Sequence, residues 1–204
     1  MIRPLTTGLL FVILLSIVIA IPSDTSAFDQ RLYKGGFGVK GGFMYVTTVH
    51  LHNRHTGADN DYRTKAGLAG GVFFDIPLHR KTMLGLDIEL YDIQIDQFDV
   101  LDLDDRTKLI NFSLDIKHTI AAYKQSRIAV RPGLGVGYGY LAEIGPIERA
   151  SFVLAKAFTE LLFVTDPKII WVLEASIVMT PYGRTDDYKI TANPFLMLRG
   201  GARF

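Results

Sequence analysis

The sequence predicts an all-β protein: an eight-stranded antiparallel up-and-down transmembrane β-barrel preceded by a cleaved signal peptide. Three observations support this prediction. The first residues have the charge and hydropathy order of a secretion signal. The rest of the chain divides into eight segments in which apolar and polar residues alternate with the period of two that β-strands require. The connections between these segments alternate in length, which is typical of barrels that cross a membrane.

The N-terminal segment has the parts of a signal peptide. Arg3 is the only charge before an apolar run of thirteen residues at 9–21, and a short polar stretch then leads to Ala27. This run is too short for a membrane anchor, because a spanning helix needs about 20 apolar residues. We therefore predict cleavage after Ala27, which makes residues 1–27 the signal peptide and 28–204 the barrel domain.

The strand prediction rests on alternation along the mature chain. The predicted strands are 34–48, 64–76, 82–95, 107–120, 127–142, 151–164, 168–179 and 192–204. The fourth is the clearest, since the apolar residues from Ile110 to Ile116 share one face and polar residues share the other. In the third, the alternation changes phase after Leu90, which predicts a β-bulge. The sixth places Lys156 and Glu160 on a face with large apolar residues, which leaves its register open.

The two faces of these strands differ in a way that indicates a membrane barrel. One face combines charges with many glycines, which suits a narrow lumen, and the other is aliphatic and aromatic, which suits lipid. No mature segment has the apolar length of a spanning helix, and a closed barrel is the other structure that satisfies every backbone group in lipid. The alternative is a soluble, lipocalin-like barrel with its apolar face inside.

The connections predict how the barrel lies in the outer membrane. The long connections are predicted at 49–63, 96–106, 143–150 and 180–191, and the short ones at 77–81, 121–126 and 165–167. Because membrane barrels keep their short turns in the periplasm, both termini are expected there. An even number of strands closes the sheet without edges, so we expect a monomer surrounded by outer-membrane lipid and lipopolysaccharide.

Composition excludes several other functions. The formal net charge is only +1, so no strong field favours nucleic acid. The chain has no cysteine, which rules out disulfides and thiolate metal sites. We predict no cofactor.

Three stretches carry a family resemblance. Residues 38–45 (GVKGGFMY), 131–140 (RPGLGVGYGY) and 200–204 (GGARF) resemble the first, fifth and closing strands of the OmpA/OmpX-like family of small outer-membrane barrels. This resemblance implies that Phe204 is part of a C-terminal signal read by the barrel-assembly machinery. Periplasmic chaperones are expected as partners from the predicted location. Members include adhesins and structural proteins, so the resemblance implies a location rather than an activity.

The polar face carries the candidate functional residues. The predicted interior charge network comprises Lys40, Asp87, Glu89, Asp115, Arg131, Glu174 and Arg199, and Asp75, Lys117 and Arg203 fall on the same face. Buried charges must pair, and eight strands enclose little more than their own side chains. We therefore prefer a salt-bridge plug to a narrow ion path, and we expect Asp115 and Arg131 to share one network.

Two predicted loops and one serine suggest further chemistry. His50, His52 and His55 could attract a transition metal, and the five aspartates within 96–105 could attract hard cations. Neither loop has a complete ligand set, so we predict no metal site and interpret both as solvated loops. Ser151 is the only mature serine near the rim that carries His50 and His52. A lipid-modifying enzyme of the lipid A deacylase or acyltransferase type is therefore the chief alternative to a non-catalytic structural or surface-interaction role, and a narrow pore is a further one.

Overall fold

The alternating segments pair side by side to form a closed, eight-stranded antiparallel β-barrel. The computed structural model describes residues 30–45, 48–95, 106–121, 128–141, 149–164 and 168–204. Within these ranges we find no apolar helix of membrane-spanning length. The predicted signal peptide, residues 1–27, and the acidic segment 96–105 lie outside the described residues.

Eleven strand segments build the eight barrel strands. After a short 3-10 turn, η1 (Gln30–Tyr33), the segments are β1 (Gly36–Tyr45), β2 (Thr48–Asn53), β3 (Asp59–Lys65), β4 (Gly67–His79), β5 (Thr82–Ile95), β6 (Arg106–His118), β7 (Ile120–Ala121), β8 (Ile128–Leu141), β9 (Ala150–Val164), β10 (Ile170–Arg184) and β11 (Tyr188–Arg203). β1 and β2 lie one after the other along β11, as β4 and β3 do along β5 and as β6 and β7 do along β8.

The sheet closes where the first and last strands meet. β1 pairs with β4 on one side and with β11 on the other, so neither side of β1 is left as a free edge. The backbone N–H of Phe204 donates to the carbonyl of Phe37 at 2.8 Å, which ties the last residue to the first strand. Gln30 and Phe204 therefore lie at one end of the barrel, the terminal end, and the β2–β3 turn lies at the opposite, hairpin end.

Burial separates the two faces as expected for a membrane barrel. Outward-facing positions on the strands carry large exposed apolar side chains, among them Phe37, Phe43, Tyr45, Leu68, Val72, Phe74, Leu86, Ile88, Ile110, Phe112, Leu114, Leu134, Val136, Tyr138, Tyr140, Trp171, Leu173, Leu196 and Leu198. Inward-facing positions carry the buried charges. A lipocalin-like barrel would bury its apolar face instead, so the predicted eight-stranded membrane-type barrel is confirmed, and the signal peptide stays a prediction.

Two predicted long loops are instead extensions of strands. Residues 49–63 form most of the β2–β3 hairpin, with only 54–58 between its strands, and residues 180–191 continue β10 and β11 on either side of 185–187. Alternation persists in the hairpin, since Leu51 is buried between His50 and His52. The outward residues are polar, as expected where a strand extends beyond the belt of exposed apolar side chains that surrounds the barrel. These two loop predictions were wrong because they treated outward polarity as a sign of a loop.

The predicted bulge in the third strand is absent. β5 keeps a continuous register with β6 from Thr82 to Gln94, and Tyr91 and Ile93 are buried on the same face as Asp87. The phase change in the sequence arises because the lumen itself turns from charged to apolar towards the hairpin end. The register of the sixth strand could not be predicted for the same reason. Every even-numbered residue of β9 faces inward, whether it is charged or apolar.

Candidate functional site

The lumen of the barrel is filled by an electroneutral set of charges. In the described part of the chain, six acidic and six basic side chains are buried: Lys40, Asp75, Asp87, Glu89, Asp115, Lys117, Arg131, Lys156, Glu160, Glu174, Arg199 and Arg203. They include all seven residues of the predicted network. Because the charges balance, the lumen offers no excess of one sign that would select an ion.

The group nearer the terminal end is centred on Asp75 and Glu160. The Arg131 guanidinium lies 2.6 Å from a Glu160 oxygen and 2.9 Å from an Asp75 oxygen. Lys117 Nζ lies 2.9 Å from the other Asp75 oxygen, and Arg203 approaches Asp75 to 3.4 Å. Removing the Arg131 cation would therefore affect two buried carboxylates at once.

The group nearer the hairpin end is centred on three cations. Lys156 Nζ lies 2.8 Å from Asp115, 3.1 Å from Asp87 and 3.2 Å from Glu89. This lysine therefore neutralises carboxylates from two neighbouring strands, β5 and β6.

The other two cations of this group, on β1 and β11, share Glu174 and each contact one of the β5 carboxylates. Lys40 Nζ lies 2.7 Å from Glu174 and 3.0 Å from Asp87. Arg199 pairs with Glu174 and lies 2.6 Å from Glu89. Arg199 and Glu174 face each other on the neighbouring strands β10 and β11, whereas the other three pairs join strands that are not hydrogen-bonded to each other.

Longer ion pairs join the two groups into one network. Glu160 of the first group lies 3.6 Å from Lys40 of the second, and Lys117 of the first lies 3.7 Å from Asp87 of the second. Asp115 and Arg131 both face the lumen and are linked through this network, but each has other partners: Lys156 for Asp115, and Asp75 with Glu160 for Arg131.

Two aromatic rings line the network. Lys40 and Lys117 lie 4.7 and 5.0 Å from the centre of the Phe73 ring, and Lys156 lies 5.0 Å from that of Phe158. A cation over an aromatic face gains electrostatic stabilisation where water is excluded. The rings therefore stabilise the lysines while they fill space that an open channel would give to water.

Glycines on β8 make room for these groups. A Cβ at Gly135 would overlap the Asp115 carboxylate, and a Cβ at Gly133 would meet the Phe158 ring. The glycine-alternating stretch of this strand is thus explained by close approach within a narrow lumen. By contrast, Gly200 on β11 faces open space.

Apolar side chains seal the network at both ends. At the terminal end, Leu32 of η1 is fully buried in a cluster with Phe73, Ala129, Leu162, Val164, Ile170 and Val172. At the hairpin end, a larger cluster fills the lumen with Met44, Leu51, Ala69, Tyr91, Ile93, Leu109, Leu141, Ala150, Phe152, Leu154, Val178, Ile190, Phe195 and Met197. Tyr91 Oη joins this second cluster to the charges by donating to Glu89 at 2.5 Å.

The sequence prediction missed Lys156 and Glu160 as members of the network. Both were placed on one face of the sixth strand, but that face also carries Phe152, Phe158 and Leu162, so it showed no polar character. The spacing could have identified them, because Lys156 and Glu160 occupy the same alternate positions as those apolar residues and therefore face the same side of the strand.

The predicted rim residues Ser151 and His52 do not lie together as a nucleophile and its base. Ser151 pairs with Arg184, Arg184 with Lys189, and Lys189 with His52 across β9, β10, β11 and β2. At about 4.8 Å between neighbouring strands, the Ser151 and His52 backbones lie roughly 14 Å apart along the sheet. That separation is far beyond the hydrogen-bond reach that a nucleophile and its base require.

The three predicted loop histidines are each paired with an aspartate. His50 lies 2.6 Å from Asp61 and His52 lies 2.7 Å from Asp59 on the neighbouring strand. His55, in the turn, lies 3.0 Å from Asp187. Among the described residues, no three histidine, aspartate or glutamate side chains already converge as a metal cage.

Comparison with known proteins shows a likeness of fold. No protein-family model matches the chain, and no curated protein sequence matches it. The structure is similar to that of the outer membrane protein OprG from Pseudomonas aeruginosa, with a TM-score of 0.60 and 12% identity over 84% of this chain and 97% of that one. It is also similar to Neisserial surface protein A, with a TM-score of 0.52 and 12% identity over 82% of this chain and 96% of that one. The chain therefore has the fold of the small outer-membrane β-barrels.

Proposed function

We propose that this chain is an integral protein of the bacterial outer membrane that has a closed lumen and acts without catalysis, through envelope structure or through contacts made at its hairpin end. The observation that carries the proposal is the filled lumen, in which neutral ion pairs lie between two apolar clusters. The exposed apolar belt supports the location, since lipid is the environment that such a surface requires.

The orientation in the membrane is part of the proposal. Both termini face the periplasm, where the predicted cleavage after Ala27 releases the mature chain. The strands reach furthest at the other end, as β2, β3 and the extensions of β10 and β11, and this end faces outward. Phe204, at the terminal end, is then placed for the assembly machinery, in keeping with an OmpA/OmpX-like relationship.

The proposed partners follow from location. Lipopolysaccharide and other outer-membrane lipids surround the apolar belt, and periplasmic chaperones with the assembly machinery act on the chain before it inserts. A monomer is proposed because the sheet closes on itself where β1 pairs with both β4 and β11, which removes the open edge that a β-sheet otherwise offers to a second copy.

The narrow-pore alternative is tested by electrical recording from the purified barrel in planar lipid bilayers. We expect no discrete current steps, because paired charges and two apolar clusters fill the lumen in the described part of the chain. Parallel insertion of a general porin is the control for membrane fusion. Regular current steps whose size changes in a Glu174→Gln variant would show that the lumen conducts, and would overturn the proposal.

A further inference from the structure

The outer face of the β2–β3 hairpin carries a compact square of two histidines and two aspartates. Leu51 is buried in the apolar cluster at the hairpin end, which turns its neighbours His50 and His52 outward. Across the strand pair, His50 lies opposite Asp61 and His52 lies opposite Asp59. Because residues two apart on a strand share a face, all four side chains lie on the same side of the hairpin.

Each aspartate holds one nitrogen of its histidine. Nδ1 of His50 lies 2.6 Å from Oδ1 of Asp61, and Nδ1 of His52 lies 2.7 Å from Oδ1 of Asp59. When a neutral imidazole donates its Nδ1–H to a carboxylate, the lone pair is left on Nε2. The two imidazoles are 41% and 47% exposed, so ions in solution can reach them.

This arrangement is the one that metal-binding histidines generally use. A carboxylate on the far ring nitrogen fixes the tautomer and orientation of the ring and makes the ligating nitrogen more basic. The two Cα atoms lie about 6.6 Å apart along one strand. Two imidazoles that lean together over that distance can each place Nε2 at about 2.0–2.1 Å from a single ion.

We propose that His50 and His52 bind one divalent transition-metal ion of the Zn²⁺ or Cu²⁺ class through Nε2, while Asp61 and Asp59 orient the two rings. Imidazole nitrogen suits these ions, whereas Mg²⁺ and Ca²⁺ prefer oxygen ligands. Two protein ligands leave coordination positions to water or to a group from outside the protein. The site is therefore an exchangeable surface site at the hairpin end rather than a structural metal centre.

The charges around the two histidines do not by themselves attract a cation. Lys189 of β11 lies beside His52, and Thr191 lies beside His50. Arg63 shares the outer face of β3 with Asp59 and Asp61, so two cations offset the two carboxylates, and a bound ion must be held by the imidazole nitrogens.

The chain contains its own matched controls. His55 in the turn pairs with Asp187 through Nε2 rather than Nδ1. The nitrogen through which His50 and His52 would bind the metal is therefore already occupied in His55. His79 is exposed at the end of β4, near the terminal end of the barrel. Neither His55→Gln nor His79→Gln should alter binding at the proposed site.

The test is isothermal titration of Zn²⁺ into the folded barrel in detergent, using a chain without an added histidine tag. We expect saturable binding of one ion per barrel. His50→Gln and His52→Gln should each weaken it at least tenfold, and Asp61→Asn should weaken it by about tenfold or more, as is usual for groups that orient a ligand. Mg²⁺ at the same concentration should not displace Zn²⁺.

Two results would overturn the proposal. One is an absence of saturable Zn²⁺ binding by the folded wild-type barrel. The other is unchanged affinity in the His50→Gln, His52→Gln double variant. Each sample should first show the altered mobility of a folded barrel on an unheated SDS gel, so that a loss of binding is not caused by a loss of fold.

Discussion

Replacing Arg131 with methionine is expected to lower the free energy of unfolding by about 3–5 kcal/mol, the range found when one partner of a buried ion pair is removed. Methionine is long and apolar, so it keeps much of the packing of the arginine stem. The guanidinium that is lost pairs with both Glu160 and Asp75. Lys117 and Arg203 remain near these carboxylates, which is why a fold that is weakened but still forms is expected.

The measurement is urea unfolding of the barrel in lipid vesicles, followed by the fluorescence of Trp171, the only tryptophan in the sequence. Arg184→Met is the matched control, because Arg184 is exposed near the hairpin end and surface substitutions usually change stability by less than about 0.5 kcal/mol. Adding Glu160→Gln to Arg131→Met should cost less than the sum of the two single changes, since residues in one network couple. Equal stability of the Arg131→Met and Arg184→Met variants would contradict a paired lumen.

Placing a charge on the outer face should be nearly as damaging as removing one from the lumen. Leu114→Arg is expected to destabilise the barrel by about 2–4 kcal/mol, the cost of arginine on the lipid face at the bilayer midplane. Leu114 lies between Leu86 and Val136 in the register of β5, β6 and β8, midway along the apolar stretch of β6.

Two variants on the same strand make this second prediction specific. Leu114→Ala removes apolar area without adding charge and should cost clearly less than Leu114→Arg. Lys108→Arg keeps a charge at an exposed position near the start of β6 and should be close to neutral. The same unfolding assay measures all three. If Leu114→Arg is no more costly than Leu114→Ala, the outer face meets water rather than lipid.

Period-two alternation predicted the strands best where the two faces differ in polarity. The bounds predicted for the strands that became β5, β6 and β8 lie close to the observed ones, because in the middle of the barrel the lumen is charged or glycine-lined and the outer face is apolar. The direction of the faces could be predicted for the same reason, since charges and glycines fit a narrow interior.

The prediction failed where this contrast disappears. Towards the hairpin end the lumen is apolar, so Tyr91 and Ile93 looked like a change of phase although their strand is regular. Beyond the apolar belt the outer face is polar, so His50 and His52 looked like loop residues although they belong to β2. In both places the local environment, not the strand period, had changed.

Pairing between strands could not be predicted from a single strand. The contact of His50 with Asp61 depends on where the hairpin turns, and the β2–β3 turn was not recognised because its flanks were assigned to a loop. Likewise, the contacts that Glu160 makes with Arg131 and Lys117 depend on the register of strands far apart in the sequence. Alternation predicts which side a residue faces, but it does not predict the partner it meets there.

The most direct test of the membrane barrel is the position of Trp171 relative to lipid. This residue faces outward near the terminal end of β10 and is 49% exposed. In vesicles that contain lipids brominated along their acyl chains, its fluorescence should be strongly quenched, and aqueous iodide should have little effect. Strong quenching by iodide with none by brominated lipid would place the outer face in water and contradict a barrel that spans the membrane.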